Sequence, residues 1–275
     1  MEPVASVVIP AHNEEAVIGA GLAALLGDSR PGEFDVVVVA NACADGTAAV
    51  ARAAGVRVIE TPVGGKAHAL RLGDAACRTF PRLYLDADVE LSTESARALV
   101  AACARPGVLG CAPVPVLDLA GAGWAARRVH KVHHRMVGPS RVLAGAGVYV
   151  LGEQGHARAF PVPDDVLSDD GWVHASFVDG ERVAVPEATS VVRPARTVRA
   201  YLRRRIRVRL GNRQLAALGR PVTLTGLRLA SVGTLVRGRE VSPVDALCYL
   251  AVLVLDRALT AFRRPGRVRW GTTRD

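Results

Sequence analysis

The N-terminal third of the chain alternates two kinds of apolar pattern. Runs rich in Val and Ile, typical of buried strands, occupy residues 5–11, 34–41 and 56–61. Between them, "EEAVIGAGLAALLGD" and "DGTAAVARAAG" carry Ala and Leu at helical spacing. The pattern predicts a β-α-β-α-β unit. Because the strands are apolar throughout rather than at alternate positions, it predicts an α/β fold with a mostly parallel sheet covered by helices on both faces.

A polar stretch follows each of several predicted strands directly. These stretches are "AHNEE" at 11–15, "ANACADG" at 40–46 and "DADVE" at 86–90. Open sheets of this class bind ligands at the carboxyl ends of their strands, so we expect the three stretches to form a crevice. An isolated D-x-D can simply begin a loop. In extended chain, however, alternate side chains point the same way, and we then expect Asp86 and Asp88 to face the crevice together.

The remainder of the chain predicts further helices and ends in an arginine-dense region. A helix is predicted at 93–105, a strand within 107–119 and a basic helix at 123–138. The last third contains "RPARTVRAYLRRRIRVRLGNRQLAALGR". We therefore predict one catalytic domain at 1–195 and an Arg-rich helical C-terminal extension at 196–275.

Composition excludes several classes of protein. The net charge is +9, but only two of the 35 basic residues are lysines, so the charge partly reflects a preference for arginine codons. Aromatic residues make up 4% of the chain and no nucleic-acid-binding motif is present, which argues against a nucleic-acid partner. Five cysteines without C-x-x-C spacing argue against a disulfide framework and a thiolate zinc site. We expect a cytoplasmic protein without a signal peptide.

Five ordered motifs carry a resemblance to a known family. "VVIPAHNEE", "VVVVANACADGT", "GGKAHALRLG", "YLDADVEL" and "LSDDGWV" resemble, in this order and spacing, family 2 glycosyltransferases of the GT-A fold. The resemblance runs from residue 4 to about residue 215. It implies a nucleotide-sugar donor, a divalent cation (Mn²⁺ or Mg²⁺) and inversion at the anomeric carbon by direct displacement.

The resemblance also implies roles for individual residues. Asp88 is the expected direct metal ligand, and Asp86 either faces the ribose or reaches the metal through water. Asp170 is the expected catalytic base, with Asp169, Asp164 and Asp165 as rivals. The residues expected to bind the nucleotide sugar are Pro10, Ala11, His12, Glu14, Asn41, Lys66, Asp86, Ala87, Arg205 and Arg209.

Structural alternatives exist for several of these residues. His12 either stacks on the nucleobase or caps a turn. Asn41 stands in a stretch where many relatives carry Asp-Asp-Gly, which leaves the identity of the base open. Asp45 is expected to cap a helix. Lys66 binds a phosphate, pairs with an acid such as Glu14, or is a solvated loop residue.

The C-terminal region lacks features of polymer-extruding relatives. Arg205 and Arg209, one helical turn apart, could bind a diphosphate. Equally, they could form a solvated basic face of the helix or contact anionic lipid headgroups. The span has no Gln-x-x-Arg-Trp signature, which favours single transfers to a lipid-linked or small-molecule acceptor. The apolar helix near 244–262 either packs on the catalytic domain, the favoured interpretation because Asp245, Asp256 and Arg257 interrupt it, or lies on a membrane through Leu250, Val252, Leu253 and Leu255.

Two other functions compete with glycosyl transfer. A sugar-phosphate nucleotidyltransferase also uses an open α/β sheet and acidic metal ligands, but "IPAHNEE" contains no Gly-rich phosphate loop. A non-catalytic nucleotide-sugar-binding module would explain the altered "ANACADG", but it leaves the retention of Asp86, Asp88 and Asp170 unexplained.

Overall fold

The computed structural model describes residues 2–137, 142–220 and 229–261. Contacts between residues divide the chain into two compact units. The first, the sheet unit, comprises residues up to 117 and 142–192; the second, the helical unit, comprises 118–137 and the described residues from 193 onward. The predicted domains, 1–195 and 196–275, remain predictions. Along the chain, the boundary between the compact units falls between residues 192 and 193. Residues 118–137 also belong to the helical unit.

The sheet unit alternates strands and helices along most of its length. Its strands are β1 (Ala5–Ala11), β2 (Phe34–Asn41), β3 (Arg57–Thr61), β4 (Arg82–Leu85), β5 (Glu90–Leu91), β6 (Gly110–Leu117), β7 (Val148–Leu151) and β8 (Arg182–Val192). Its helices are α1 (Glu15–Leu26), α2 (Thr47–Ala53), α3 (Lys66–Ala76), α4 (Thr93–Cys103), α6 (Glu153–Ala159) and α7 (Asp169–Ala175). The strands and helices predicted in the first 61 residues are all present.

The strands form one sheet in the order β3-β2-β1-β4-β7-β6-β8-β5. Neighbouring strands from β3 to β4 are parallel, as predicted. In the other half, β7 runs antiparallel to both β4 and β6, while β6 and β8 are parallel. The sheet is therefore mixed, with its parallel half carrying the carboxyl ends of β1, β2 and β4 at one edge.

Both faces of the sheet are covered, which explains the continuous apolar runs. In β2, Val36 and Val38 belong to the main core, which includes residues of α1 and α4. Val37 and Val39 pack with Ala69 of α3 on the other face. Successive strand residues point to opposite faces, so a strand buried on both sides needs apolar residues at every position. The predicted α/β class is confirmed.

The helical unit contains α5 (Trp124–Val137), α8 (Val198–Ala217), α9 (Leu229–Arg237) and α10 (Pro243–Ala261). Its apolar core includes Val129 and Val132 of α5, Tyr201 of α8, Val232 of α9 and Tyr249 of α10. None of the helices in the described ranges combines the length and apolarity needed to cross a bilayer.

Candidate functional site

The loops after β1, β2 and β3 are tied together by Asn41. This residue is fully buried. Its Nδ2 donates to the Ala11 carbonyl oxygen at 2.7 Å, and its Oδ1 accepts from the Gly65 N–H at 3.1 Å. The Asn41 carbonyl oxygen lies 2.7 Å from His12 Nδ1. Asn41 therefore fixes the backbone around the predicted nucleoside pocket, and both ends of its amide are engaged with backbone. Its predicted contact with the base stays a prediction.

The N-termini of α1 and α2 share their capping groups. The Asp45 carboxylate accepts from the Thr47 N–H at 3.1 Å and from the Glu15 N–H at 3.2 Å. In return, Glu15 Oε2 accepts from the Gly46 N–H at 3.0 Å. Glu14 is buried, and its N–H donates to Thr47 Oγ1. Carboxylates at helix N-termini satisfy otherwise unpaired N–H groups, so Asp45 has the capping role expected from the sequence.

Lys66, the first residue of α3, joins two acids that are distant in the sequence. Its Nζ lies 2.7 Å from Asp86 Oδ1 and 3.0 Å from Asp169 Oδ1. Burial alone would lower the pKa of Lys66, but the charges of Asp169, Asp86 and Asp170 outweigh it and raise the pKa. Of the alternatives for Lys66, pairing with acids holds in the structure, and these acids are Asp86 and Asp169.

Asp86 and Asp88 lie on a turn and not on an extended strand. Strand β4 ends at Leu85, and the Val89 N–H donates to the Asp86 carbonyl oxygen at 3.1 Å. The chain is therefore not extended here, as the argument from alternate side chains of a strand required, because it turns between these residues. That both side chains face the crevice stays a prediction. The Asp86 N–H donates to the Gly147 carbonyl oxygen at 2.8 Å, which anchors the turn to the residue before β7. Ala87 is buried and Asp88 is half-buried.

Asp169 and Asp170, the first two residues of α7, have different surroundings. Asp169 is buried, and its Oδ2 has no hydrogen-bond partner. Burial, together with the charges of Asp170 and Asp86, raises the pKa of Asp169 to about 6 although Lys66 opposes the shift. Asp170 Oδ1 accepts from Ser168 Oγ and the Gly171 N–H, and its Oδ2 accepts from the Gly145 N–H at 3.1 Å.

These groups surround a cavity with about 280 Å³ of empty space that is open to solvent. Its polar lining consists of Lys66, Asp86, Asp169, Asp170 and two tyrosines, Tyr84 and Tyr149. Pro10, Leu70, Leu143, Gly147 and Val148 complete it. Of the predicted site residues, the structure thus brings Pro10, Lys66, Asp86 and Asp170 to one cavity.

The two tyrosines were not foreseen from the sequence. Their rings stack with centroids 5.0 Å apart, and Tyr84 Oη donates to Asp74 Oδ1. Tyr149 Oη is buried without a hydrogen-bond partner, and burial beside Asp169 raises its pKa well above the usual value. Each tyrosine lies in a short apolar strand, where the sequence indicates only core packing. Asp169 was considered only as a rival base, and its pairing with Lys66 was not foreseen.

Two predicted arginines and one rival acid do not line this cavity. Arg205 and Arg209 belong to α8 of the helical unit, where both guanidinium groups bind the fully buried carboxylate of Asp256. This gives them a structural role in that unit, and their contact with a donor diphosphate stays a prediction. Asp164, a rival base, pairs with Arg71 at 2.7 Å and is exposed.

The acidic edge of the cavity suits a hard divalent cation in its chemistry. Carboxylate oxygens are the ligands that Mg²⁺ and Mn²⁺ prefer. Asp86 lines the cavity, and Asp88, which is not among the lining residues, lies two residues further along the same turn. Within the described residues, no group of three or more His, Cys, Asp or Glu side chains forms a complete metal site. The residues therefore fit a cation that takes part of its coordination from another molecule, as Mg²⁺ does with substrate phosphates.

Comparison with known proteins agrees with this geometry. A sequence model of the family described as Glycosyl transferase family 2 matches residues 6–141, which include β1 to α5 and the Asp86–Asp88 turn. The chain belongs to the family 2 glycosyltransferases. No curated protein matches the sequence of this glycosyltransferase.

Solved structures similar to this glycosyltransferase share its fold. A mannosyltransferase from Pyrobaculum calidifontis, solved with GDP-Man and Mn²⁺, is 21% identical over 94% of this chain and 76% of its own, with a TM-score of 0.61. Glucosyl-3-phosphoglycerate synthase from M. tuberculosis is 21% identical over 81% of this chain and 83% of its own, with a TM-score of 0.55. Mannosyl-3-phosphoglycerate synthase from Rubrobacter xylanophilus is 20% identical over 82% of this chain and 76% of its own, with a TM-score of 0.56. These likenesses establish the GT-A fold.

Proposed function

We propose that this glycosyltransferase moves a sugar from a nucleoside-diphosphate sugar to an acceptor hydroxyl, in single metal-dependent transfers with inversion. The observation that carries the proposal is the surplus of carboxylates over cations in the cavity. Asp86 and Asp169 share one ammonium group, Asp170 lies beside them, and Asp169 Oδ2 has no hydrogen-bond partner. Such a site favours a ligand that brings positive charge and hydrogen-bond donors.

Asp88, with Asp86, is the proposed metal ligand. These carboxylates would hold a divalent cation, whose positive charge would stabilise the departing nucleoside diphosphate. Lys66 adds a fixed positive charge at the same edge, and it holds Asp86 in position through the 2.7 Å ion pair. Solved relatives in the fold group contain Mn²⁺ with GDP-Man, or with UDP and glucosyl-3-phosphoglycerate, which supports the same requirement in this chain.

Asp170 is the proposed general base. In a single displacement, the acceptor oxygen forms a bond to the anomeric carbon while the bond to the diphosphate breaks, and the hydroxyl proton passes to the base. Three hydrogen bonds, from Ser168, Gly171 and Gly145, hold the Asp170 carboxylate in place. Buried Asp169 and Tyr149 offer an acceptor and a donor for sugar hydroxyls in the same cavity.

The donor pocket is proposed to extend from Pro10 and Ala11 through His12 and Glu14, with Ala87 beside Asp86. The hydrogen bond from His12 to the Asn41 carbonyl supports a fixed ring position suited to stacking on a base. The acceptor is proposed to be lipid-linked or a small molecule, and the site of action to be the cytoplasm.

A panel of nucleotide sugars tests the proposal. Thermal unfolding is measured with UDP- and GDP-sugars, each with and without Mn²⁺, followed by transfer assays with those that stabilise the protein. We expect stabilisation by at least one donor only when Mn²⁺ is present, and product with inverted anomeric configuration. Absence of stabilisation by every donor contradicts the proposal. Stabilisation without transfer to any acceptor favours the non-catalytic binding module instead.

A further inference from the structure

Helix α10 of the helical unit buries both of its acidic residues and exposes several of its apolar residues. Asp245 is 3% exposed and Asp256 is fully buried. In contrast, Leu247 and Val254 are each 69% exposed, and Val244 and Leu255 are 47% and 46% exposed. A surface helix of a soluble domain normally buries one apolar face and has charged or polar residues on the other, whereas the outer face of α10 is also largely apolar.

The buried acids are neutralised within the helical unit. Asp245 binds Arg128 at 2.6 Å and Lys131 at 3.2 Å, both from α5. Asp256 binds Arg205 at 3.2 Å, and Arg209 also contacts it. The two acids therefore do not interrupt the outer face, contrary to the argument from sequence that favoured packing on the catalytic domain.

The membrane-facing residues suggested by the sequence were mostly wrong. Leu253 is 5% exposed and packs in the core of the unit, with Leu250 and Val252 partly buried against the same core. Only Leu255 of the four is exposed. At 100° per residue, the outer stripe instead consists of Val244, Leu247, Ala251, Val254 and Ala258.

A tryptophan of α5 is linked to the first turn of α10 through Arg128. Trp124 of α5 is 62% exposed, and the guanidinium of Arg128 lies 4.3 Å from its ring centroid. Arg128 also binds Asp245, which is the neighbour of Val244 in sequence. Tryptophan is enriched where one side of a surface is apolar and the other is wet, as at the edge of a lipid bilayer.

The charge of the helical unit indicates what covers this face. Helix α8 carries seven arginines and no acidic residue, and two of the seven pair with the buried Asp256. All four acids in the described part of the unit, Asp118, Glu240, Asp245 and Asp256, are paired with Arg or Lys. A second copy of the chain would bring like charge against this unit. Anionic lipid headgroups, in contrast, complement both the arginines and the apolar stripe.

We propose that the outer face of α10, with Trp124 at its edge, docks onto an anionic lipid surface and lies in the plane of the headgroups. The inference does not rest on the sugar-transfer reaction, because it uses only residues of the helical unit. It provides the enzyme with a route to lipid-linked acceptors.

Co-sedimentation with vesicles tests the proposal. The vesicles contain phosphatidylcholine and phosphatidylglycerol in equal parts, with pure phosphatidylcholine as the comparison. The double variant Leu247→Glu, Val254→Glu disrupts the stripe. Val178→Glu is the matched control, because Val178 is 67% exposed but belongs to the sheet unit. We expect wild type and Val178→Glu to bind the anionic vesicles, binding to weaken as salt rises, and the double variant to bind at least about tenfold more weakly.

Several outcomes overturn the proposal. Wild-type protein that does not sediment with anionic vesicles contradicts it, and so does equal binding by the double variant. If wild type is a dimer that does not bind vesicles and the double variant is a monomer, a second copy of the chain covers the face. If the double variant does not fold, as judged by circular dichroism, Leu247→Ser is compared with Val178→Ser under the same criteria.

Discussion

The two units of this glycosyltransferase each contain a cluster of carboxylates and cations, and the clusters are balanced in opposite ways. In the helical unit, Asp245 has Arg128 and Lys131, and Asp256 has Arg205 and Arg209. In the sheet unit, Asp86 and Asp169 share Lys66. Each acid of the helical-unit cluster pairs with two cations, whereas two acids of the sheet-unit cluster share one cation.

This difference separates a structural cluster from a binding site. In the helical unit, Asp245 and Asp256 are buried and each has two cationic partners, so their negative charge is neutralised and the ion pairs hold helices together. In the sheet unit, Asp86 and Asp169 share one ammonium group and Asp170 lies beside them, which leaves this cluster short of positive charge. A cluster of acids is therefore informative about function only after its partners are counted.

The largest expected effect comes from removing the proposed base in the sheet unit. Asp170→Asn is expected to lower kcat by about 10²- to 10⁴-fold, because the acceptor hydroxyl loses its proton acceptor. Donor binding, measured by calorimetry, is expected to persist. Asp165→Asn is the control among the rival acids. Loss of turnover in Asp165→Asn with normal turnover in Asp170→Asn contradicts the assignment.

Removing an acid that pairs with two cations in the helical unit is expected to lower stability. Asp256→Asn leaves the guanidinium groups of Arg205 and Arg209 without a charged partner. It is expected to lower the free energy of unfolding by about 3 kcal/mol, the low end for a buried pair because Arg209 is 28% exposed. Urea denaturation measures the change. A loss below about 1 kcal/mol is typical of surface pairs and shows that the cluster does not hold the unit together.

The pKa of Asp169 predicts how stability depends on pH. Its folded pKa of about 6 lies above the ordinary value of 3.8, so the folded state binds the proton more tightly than the unfolded state. This contribution to stability is full below about pH 4 and is lost as pH rises through about pH 6, and it amounts to at most about 3 kcal/mol. Lys66 stays charged throughout this range.

Denaturation of wild type and Asp169→Asn across that range isolates the effect, because Asn does not titrate. The stability of wild type relative to the variant should fall as pH rises from about 4 to about 7. A relative stability that is flat or rises with pH shows that Asp169 is already ionised in the folded protein at low pH.

The smallest expected effect sharpens the contrast between the clusters. Asp86→Asn is expected to change the free energy of unfolding by less than about 1 kcal/mol, since Asp169 remains to pair with Lys66 and repulsion between the acids falls. The same substitution at Asp256 is expected to cost about three times as much. Equal losses at the two positions, measured in the same denaturant series, remove the distinction between a binding cluster and a structural one.

Much of the parallel half of the fold follows from local sequence patterns. The limits of β1, β2 and α1 agree with the apolar runs, because burial on both faces requires apolar residues at every strand position. The insertion of β7 between β4 and β6 was not predictable, since strand pairing across more than 60 residues is decided by tertiary packing.

The site was predicted in part. The carboxyl ends of apolar runs located Pro10 and Asp86, because open α/β sheets bind ligands at these ends of their strands. The pairing of Lys66 with Asp169 joins positions about 100 residues apart, and the spacing of apolar residues along the sequence cannot predict such a contact. For the same reason the inward orientation of Asp245 and Asp256 was missed: an acid inside an apolar helix is interpreted as exposed until its partners on other helices are known.

The most direct test of the central claim is Mn²⁺-dependent stabilisation by UDP or GDP in Asp88→Asn. Asp179→Asn is the control, because Asp179 is also in the sheet unit and is 97% exposed. A ligand at about 100 times its Kd raises the free energy of unfolding by about 2.7 kcal/mol, so the shift in Tm is readily measured. The account predicts that wild type and Asp179→Asn show this Mn²⁺-linked shift and that Asp88→Asn, though folded, does not. An undiminished shift in Asp88→Asn contradicts the claim that the Asp86–Asp88 turn holds the cation for the donor diphosphate.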